Sequence, residues 1–147
     1  MTTEHCSWKP RLQNLGLLIL RLLIGYGIAQ HGWGKMMGDM AGFAEGAVAG
    51  KMGLPYPLFF AWAAAISEGV GGILLALGLL TRVAAFSILC VMASAFFIFH
   101  GTDPWEVKEL AFVYGSTALS FIMTGGGCYA LDALLFCREK KDGTICQ

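Results

Sequence analysis

The sequence predicts an all-α integral membrane protein, a four-helix bundle with both termini in the cytoplasm. Three observations carry this. Of 147 residues, 56% are hydrophobic and 14% charged, where a soluble domain holds about 25% charged residues. The apolar residues fall into four blocks, 15–37, 58–80, 83–99 and 105–124. Each is near the ~20 residues that cross a ~30 Å hydrocarbon layer. None shows the charged face that a helix of a soluble bundle turns to water. The formal net charge is zero, which leaves no electrostatic footprint for nucleic acid.

The chain reads as a single transmembrane domain, with a flexible N-terminus over 1–13 and a cytoplasmic tail over 128–147. The first block has a basic lead-in, Lys9 and Arg11, and small residues Gly27 and Ala29 at a cleavage-like spacing. Arg21 interrupts it and it is long for a signal peptide, so a retained helix is expected. Residues 38–57 connect the first two spans. Gly38, Gly42, Gly46 and Gly50 recur there every four residues, which fits a short interfacial helix or a plain loop equally well. Little but Leu80, Thr81 and Arg82 separates the second and third spans, so they form a tight antiparallel pair. Gly125-Gly126-Gly127 stops the fourth helix. Residues 129–137 read as a short amphipathic helix on the cytoplasmic surface.

Basic residues near the helix ends set the orientation. Lys9, Arg11, Arg82, Arg138, Lys140 and Lys141 fall on one side, and Lys35, Lys51 and Lys108 on the other. The richer side is assigned to the cytoplasm.

Ionisable residues inside spans are costly, so they face the bundle interior and mark sites. Glu68 lies near the middle of the second span. Ala61, Ala64, Ala65, Gly71 and Gly72 surround it on one helix face, while Ile66, Val70, Ile73 and Leu77 occupy the other. A small-residue stripe lets another helix approach closely, so Glu68 points at a helix, as a working group or as a packing carboxylate. Arg21 is its expected partner, since Gly25 and Gly32 share the Arg21 face. Snorkelling of Arg21 to the interface is the equal alternative. His31 and Lys35 lie one turn apart farther out on the first helix. Glu109 falls at a similar depth on the fourth span, with Ser116 and Ser120 on its face, and His100 ends the third. His31, Glu68, His100 and Glu109 can therefore converge in the outer half of one bundle. Each also has a plain reading: His100 and Lys35 at the wet boundary, and Glu109 in a first helical turn where a carboxylate suits the dipole.

Histidine titrates near neutral pH and burial raises a carboxylate pKa, so such groups can pass protons. The expected membrane ligand is a quinone. His31, Glu68 and Glu109 are the candidate catalytic residues. Arg21, His31, Trp33 and His100 are the candidate contacts to the quinone. Phe96, Phe97, Trp105 and Phe112 are further aromatics for stacking, although interfacial aromatic belts are common.

The chain resembles the DoxX family of small four-span bacterial membrane proteins. The resemblance lies in Arg21, His31-Gly32 with Lys35, the run Glu68-Gly69-Val70-Gly71-Gly72, and Leu77-Gly78-Leu79-Leu80-Thr81-Arg82. It continues through His100, Glu109 and Thr124-Gly125-Gly126-Gly127 with Tyr129 and Asp132. It implies a bacterial inner membrane, a quinone-linked or redox-partner role, and soluble partners such as a sulfurtransferase or a dismutase. Cys128 departs from the basic turn expected there. Two alternatives stand beside the redox subunit. One is a non-catalytic scaffold that anchors soluble redox partners. The other is a small-solute or proton transporter, although no inverted repeat is detectable. The glycine-rich faces also permit a homo-oligomer.

Five cysteines, Cys6, Cys90, Cys128, Cys137 and Cys146, show no C-x-x-C and no zinc-like spacing. Met36, Met37, Met40 and Met52 near His31 offer thioethers that suit Cu(I). Flexible packing is the commoner use of such clusters, and no metal site is assigned. The topology is checked by a phosphatase fused after Gln147. It is expected to be inactive, and an enzyme active outside the cell overturns the orientation.

Overall fold

The computed structural model describes residues 9–136. Every regular element among them is helical. Helix α1 spans Lys9–Met37 and α2 spans Met40–Phe43, which runs on as a wide π-type helix, Ala44–Lys51. Helix α3 spans Pro57–Leu77. Helix α4, Thr81–Ser94, likewise widens into a π-type segment, Ala95–Phe99. Helix α5 spans Trp105–Thr124 and the short α6 spans Leu131–Phe136. Arg138, Lys140, Lys141, Cys6, Cys137 and Cys146 lie outside the described residues. Residues 38–57 thus hold a helix, and Leu131–Phe136 lies within the stretch expected to form one.

Arg11–Met37, Pro57–Leu77 and Thr81–Phe99 are long and apolar enough to cross a membrane. Helix α5 is one residue shorter than α3, but Glu106, Lys108 and Glu109 fall in its first turns.

Local chemistry fixes the ends. Pro57 sits in the first turn of α3, where its missing N–H costs nothing. Gly78 closes α3 in the left-handed conformation, φ 70°, which a side chain resists. Helix α5 stops at Gly125, φ 71°. Asp132 caps α4 from across the chain. Its carboxylate accepts the Leu80 and Thr81 N–H groups at 2.7 and 2.8 Å. Burial pushes the Asp132 carboxyl up, but hydrogen bonds from Thr81 and Leu80 and the charge of Arg21 outweigh it and hold the group below the usual carboxylate range.

The antiparallel α1–α3 pair is the most extensive packing in the molecule, followed by α4–α5 and α3–α4. Backbones nearly touch in the first pair. A Cβ on Gly25 would lie 2.6 Å from the Gly72 carbonyl oxygen, and one on Gly72 would lie 2.6 Å from the Ala29 nitrogen. A Cβ on Gly32 would overlap the Gly69 backbone. Ile28, Leu75, Ala85, Ile88, Met92, Ala118 and Phe121 form the central core. Met40, Ala44, Val48, Ala61 and Ala65 form a second core under α2. Ile66, Val70, Ile73 and Leu77 are exposed on the far face of α3, as its pattern predicts.

Gly72→Val overfills the α1–α3 contact and is expected to cost about 1–3 kcal/mol. Thermal unfolding in detergent reads this directly. Gly16→Ala is the control, since no atom lies within 4 Å of a Cβ there, and it should unfold no earlier than the wild type.

Candidate functional site

With Gly25 facing Gly72 and Gly32 facing Gly69, Lys35 falls beside Glu68. The Lys35 ammonium donates to both Glu68 oxygens, at 2.6 and 2.5 Å. Glu68 is 2% exposed and the Lys35 side chain 26%. The ammonium also lies 5.3 Å from the centre of the Phe43 ring. Hydrogen bonds between ionised groups are about twice as strong as neutral ones. Glu68 thus points at the neighbouring helix, as its small-residue stripe indicates, but its partner is Lys35.

Arg21 is neither paired with Glu68 nor snorkelled. It is 1% exposed. It donates to the carbonyls of Ala76 at 3.2 Å, Gly126 at 2.6 Å and Tyr129 at 3.0 Å. The antiparallel register explains the correction. Ala76 lies two turns, ~12 Å, along α3 from Glu68. Arg21 therefore meets the carbonyl end of α3 and the glycine-rich loop. It ties these to α1 at the α6 end of the bundle.

A cavity of 560 Å³ opens beside the Lys35–Glu68 pair, toward the α2 end. Its polar lining is Lys35, Ser67, Glu68, Ser87, Ser94 and His100, and Phe43, Phe60, Phe86 and Phe99 supply aromatic walls. The Ser87 and Ser94 hydroxyls donate to the backbone of their own helix, at 2.9 Å each. Nδ1 of His100 lies 2.8 Å from an Asp103 oxygen, which leaves Nε2 as the other proton site of the ring. Lys51 reaches the same Asp103 oxygen at 3.2 Å and lies 4.5 Å from the Phe99 ring centre. The hydrogen bond to His100, then that to Lys51, holds the Asp103 carboxyl below its ordinary range.

Of the residues expected at the site, Glu68 and His100 share this cavity. Arg21 does not reach it. His31 and Glu109 are exposed, and Trp33 is 51% exposed. The His31 ring packs edge-on against Tyr114, 5.8 Å between centres. Phe96, Trp105 and Phe112 cluster with one another. Sequence reasoning missed the pairing role of Lys35, and it missed Asp103 and the four cavity phenylalanines. For Lys35 a signal was present. Arg21, Gly25, Ile28, Gly32 and Lys35 follow a four-three spacing, the stripe by which one helix faces another. His31 is one residue off that stripe, and so turned ~100° away.

The described part of the molecule is a helical membrane-type bundle with a buried ion pair beside an apolar-walled cavity. The chain belongs to the DoxX family, which it matches over residues 16–101. It is 35% identical to an uncharacterised protein of Haemophilus influenzae, over 82% of this chain and 90% of that one. It is 31% identical to the inner membrane protein YqjF of Escherichia coli, over 85% and 95%. It is 29% identical to CatD of Bacillus subtilis, a protein provisionally named an oxidoreductase, over 89% and 94%. No solved structure matches it significantly.

Breaking the ion pair leaves a buried charge uncompensated, which costs about 3–5 kcal/mol. Lys35→Met is therefore expected to lower the unfolding free energy by that order. Lys35→Met combined with Glu68→Leu should cost clearly less than the single change. A double-variant loss equal to the sum of the losses from Lys35→Met and Glu68→Leu alone would show that the pair is not coupled.

Proposed function

We propose that this chain is the membrane subunit of a quinone-linked oxidoreductase in a bacterial inner membrane. In this reading α5 is a fourth span beside α1, α3 and the continuous α4 segment, and both termini are cytoplasmic. The observation that carries the proposal is the cavity: aromatic walls on one side, and Lys35, Glu68 and His100 on the same space. Small-molecule sites have this form, largely apolar with a few convergent polar groups, at about 300–1,000 Å³. A quinone ring needs a flat apolar slot and a donor for each carbonyl oxygen, and these residues fit it. When bound, a quinone supplies a two-electron, two-proton acceptor.

The protein's own part follows from the geometry. Lys35 donates a hydrogen bond to one ring oxygen while Glu68 holds its ammonium in place. With its ring protonated at both nitrogens, His100 would donate Nδ1–H to Asp103 and Nε2–H to the other oxygen, and would be reprotonated from the wet side. The phenylalanines exclude water and stack on the ring. Electrons come from a separate soluble redox protein, of the sulfurtransferase or dismutase kind that the family resemblance implies. CatD's name supports the redox reading. The outward-facing His31 and Glu109 support a second reading, a scaffold that docks such a partner or a second copy of this chain.

Quinone titration of the protein in nanodiscs tests the proposal. The wild type should bind saturably. His100→Ala should bind about tenfold more weakly, the order of one lost hydrogen bond, with an unchanged melting temperature. A well-folded wild type that binds no quinone removes this reading and leaves the scaffold.

A further inference from the structure

Four of the residues lining the cavity are exposed at the molecular surface: Phe60, Ala63, Phe86 and Cys90. All four sit on α3 and α4. The lining from the α2 side, including Phe43, Val48 and Leu54, is buried or half-buried. The cavity is thus closed toward α2 and open sideways, between α3 and α4.

Side-chain size explains the slot. Near their shared turn the two helices are in contact, and a Cβ on Gly71 would meet Ser87 at 3.4 Å and Ile88 at 3.5 Å. Farther toward the α2 end, α3 presents Ala63, Ala64 and Ser67, and α4 presents Cys90 and Ser94. These side chains are too short to fill the space between two helices. Ala63 lies ~9 Å from the start of α3, and Cys90 ~14 Å from Phe99. Both stand well inside segments apolar enough to cross a membrane. None of the four exposed lining residues is charged, so the opening faces hydrocarbon.

We infer that the cavity takes its ligand from the bilayer, and that the α3–α4 slot holds the hydrocarbon tail of a long-tailed, lipid-soluble quinone. This rests on the quinone reading and adds the ligand class. The ring lies beside Lys35, Glu68 and His100, and the tail leaves between Ala63 and Cys90. A bulky side chain at either position leaves the tail no exit.

Ala63→Trp and Cys90→Trp are titrated in nanodiscs with a tail-less quinone and with a long-tailed isoprenoid quinone. Both variants should weaken the long-tailed quinone at least about tenfold more than they weaken the tail-less ring. Tail-less binding reports that the variants are folded. Long-tailed binding that is unchanged in both variants overturns the slot and leaves the ring site standing. Wild type that binds neither compound removes the ring site and the slot together. A second measurement needs no bulky substitution: a long-tailed quinone with a photoreactive group on its tail should crosslink to α3 and α4 around Ala63 and Cys90, and crosslinks found only elsewhere overturn the slot.

Discussion

Helices α1 and α3 meet backbone to backbone, and that contact sets the register of everything charged in the bundle. Between helices in lipid there is no hydrophobic driving force, so close packing and polar contacts must hold them. Gly25, Gly32, Gly69 and Gly72 remove the side chains that would keep the two backbones apart. Once they meet, Lys35 has Glu68 within reach and Arg21 has the Ala76 carbonyl. A register slipped by one turn would separate both pairs and leave unpaired charges in the interior, the costliest outcome available to a membrane helix. The glycines and the charges therefore specify the same alignment independently.

The two ends of the bundle put polar groups to different uses. At the α6 end they are consumed in joining the chain to itself. Arg21 bridges more than a hundred residues of sequence to Gly126 and Tyr129, and Asn14 accepts the Cys128 N–H at 2.9 Å. Asp132 completes this end by capping α4. At the α2 end the polar groups line a space instead. Lys35 and Glu68 satisfy each other, His100 leans on Asp103, and the space beside them is left to a ligand.

Much of the fold was legible. The helices match the apolar blocks closely, because span length and hydropathy are nearly local properties. The burial of Glu68 and the lipid-facing side of α3 followed from the placement of small and branched residues around one helix. The site was legible only in part. Arg21 and Lys35 lie on the same stripe of α1, so periodicity alone could not say which would meet Glu68. The antiparallel offset with α3 decides that, and it is a property of two helices together. His31 and Glu109 looked interior because they are ionisable. Each lies off the buried stripe of its helix, and α5 turns Gly115, Ala118 and Phe121 inward instead. Asp103 and the cavity phenylalanines come from several separate elements, which no single helical pattern unites.

The wide-turn segment Ala95–Phe99 has a consequence for the phase of α4. Its amide bonds skip one carbonyl farther back than in an α-helix, as the 2.8 Å bond from the His100 N–H to Ala95 shows. Such a turn is one residue inserted into an otherwise regular helix. Every side chain after it is rotated by about 100° from where an unbroken helix would carry it. Phe99 and His100 face the cavity only because of that extra residue. A relative that lacked it would keep the same sequence letters at the end of the span, yet present the histidine to a different neighbour.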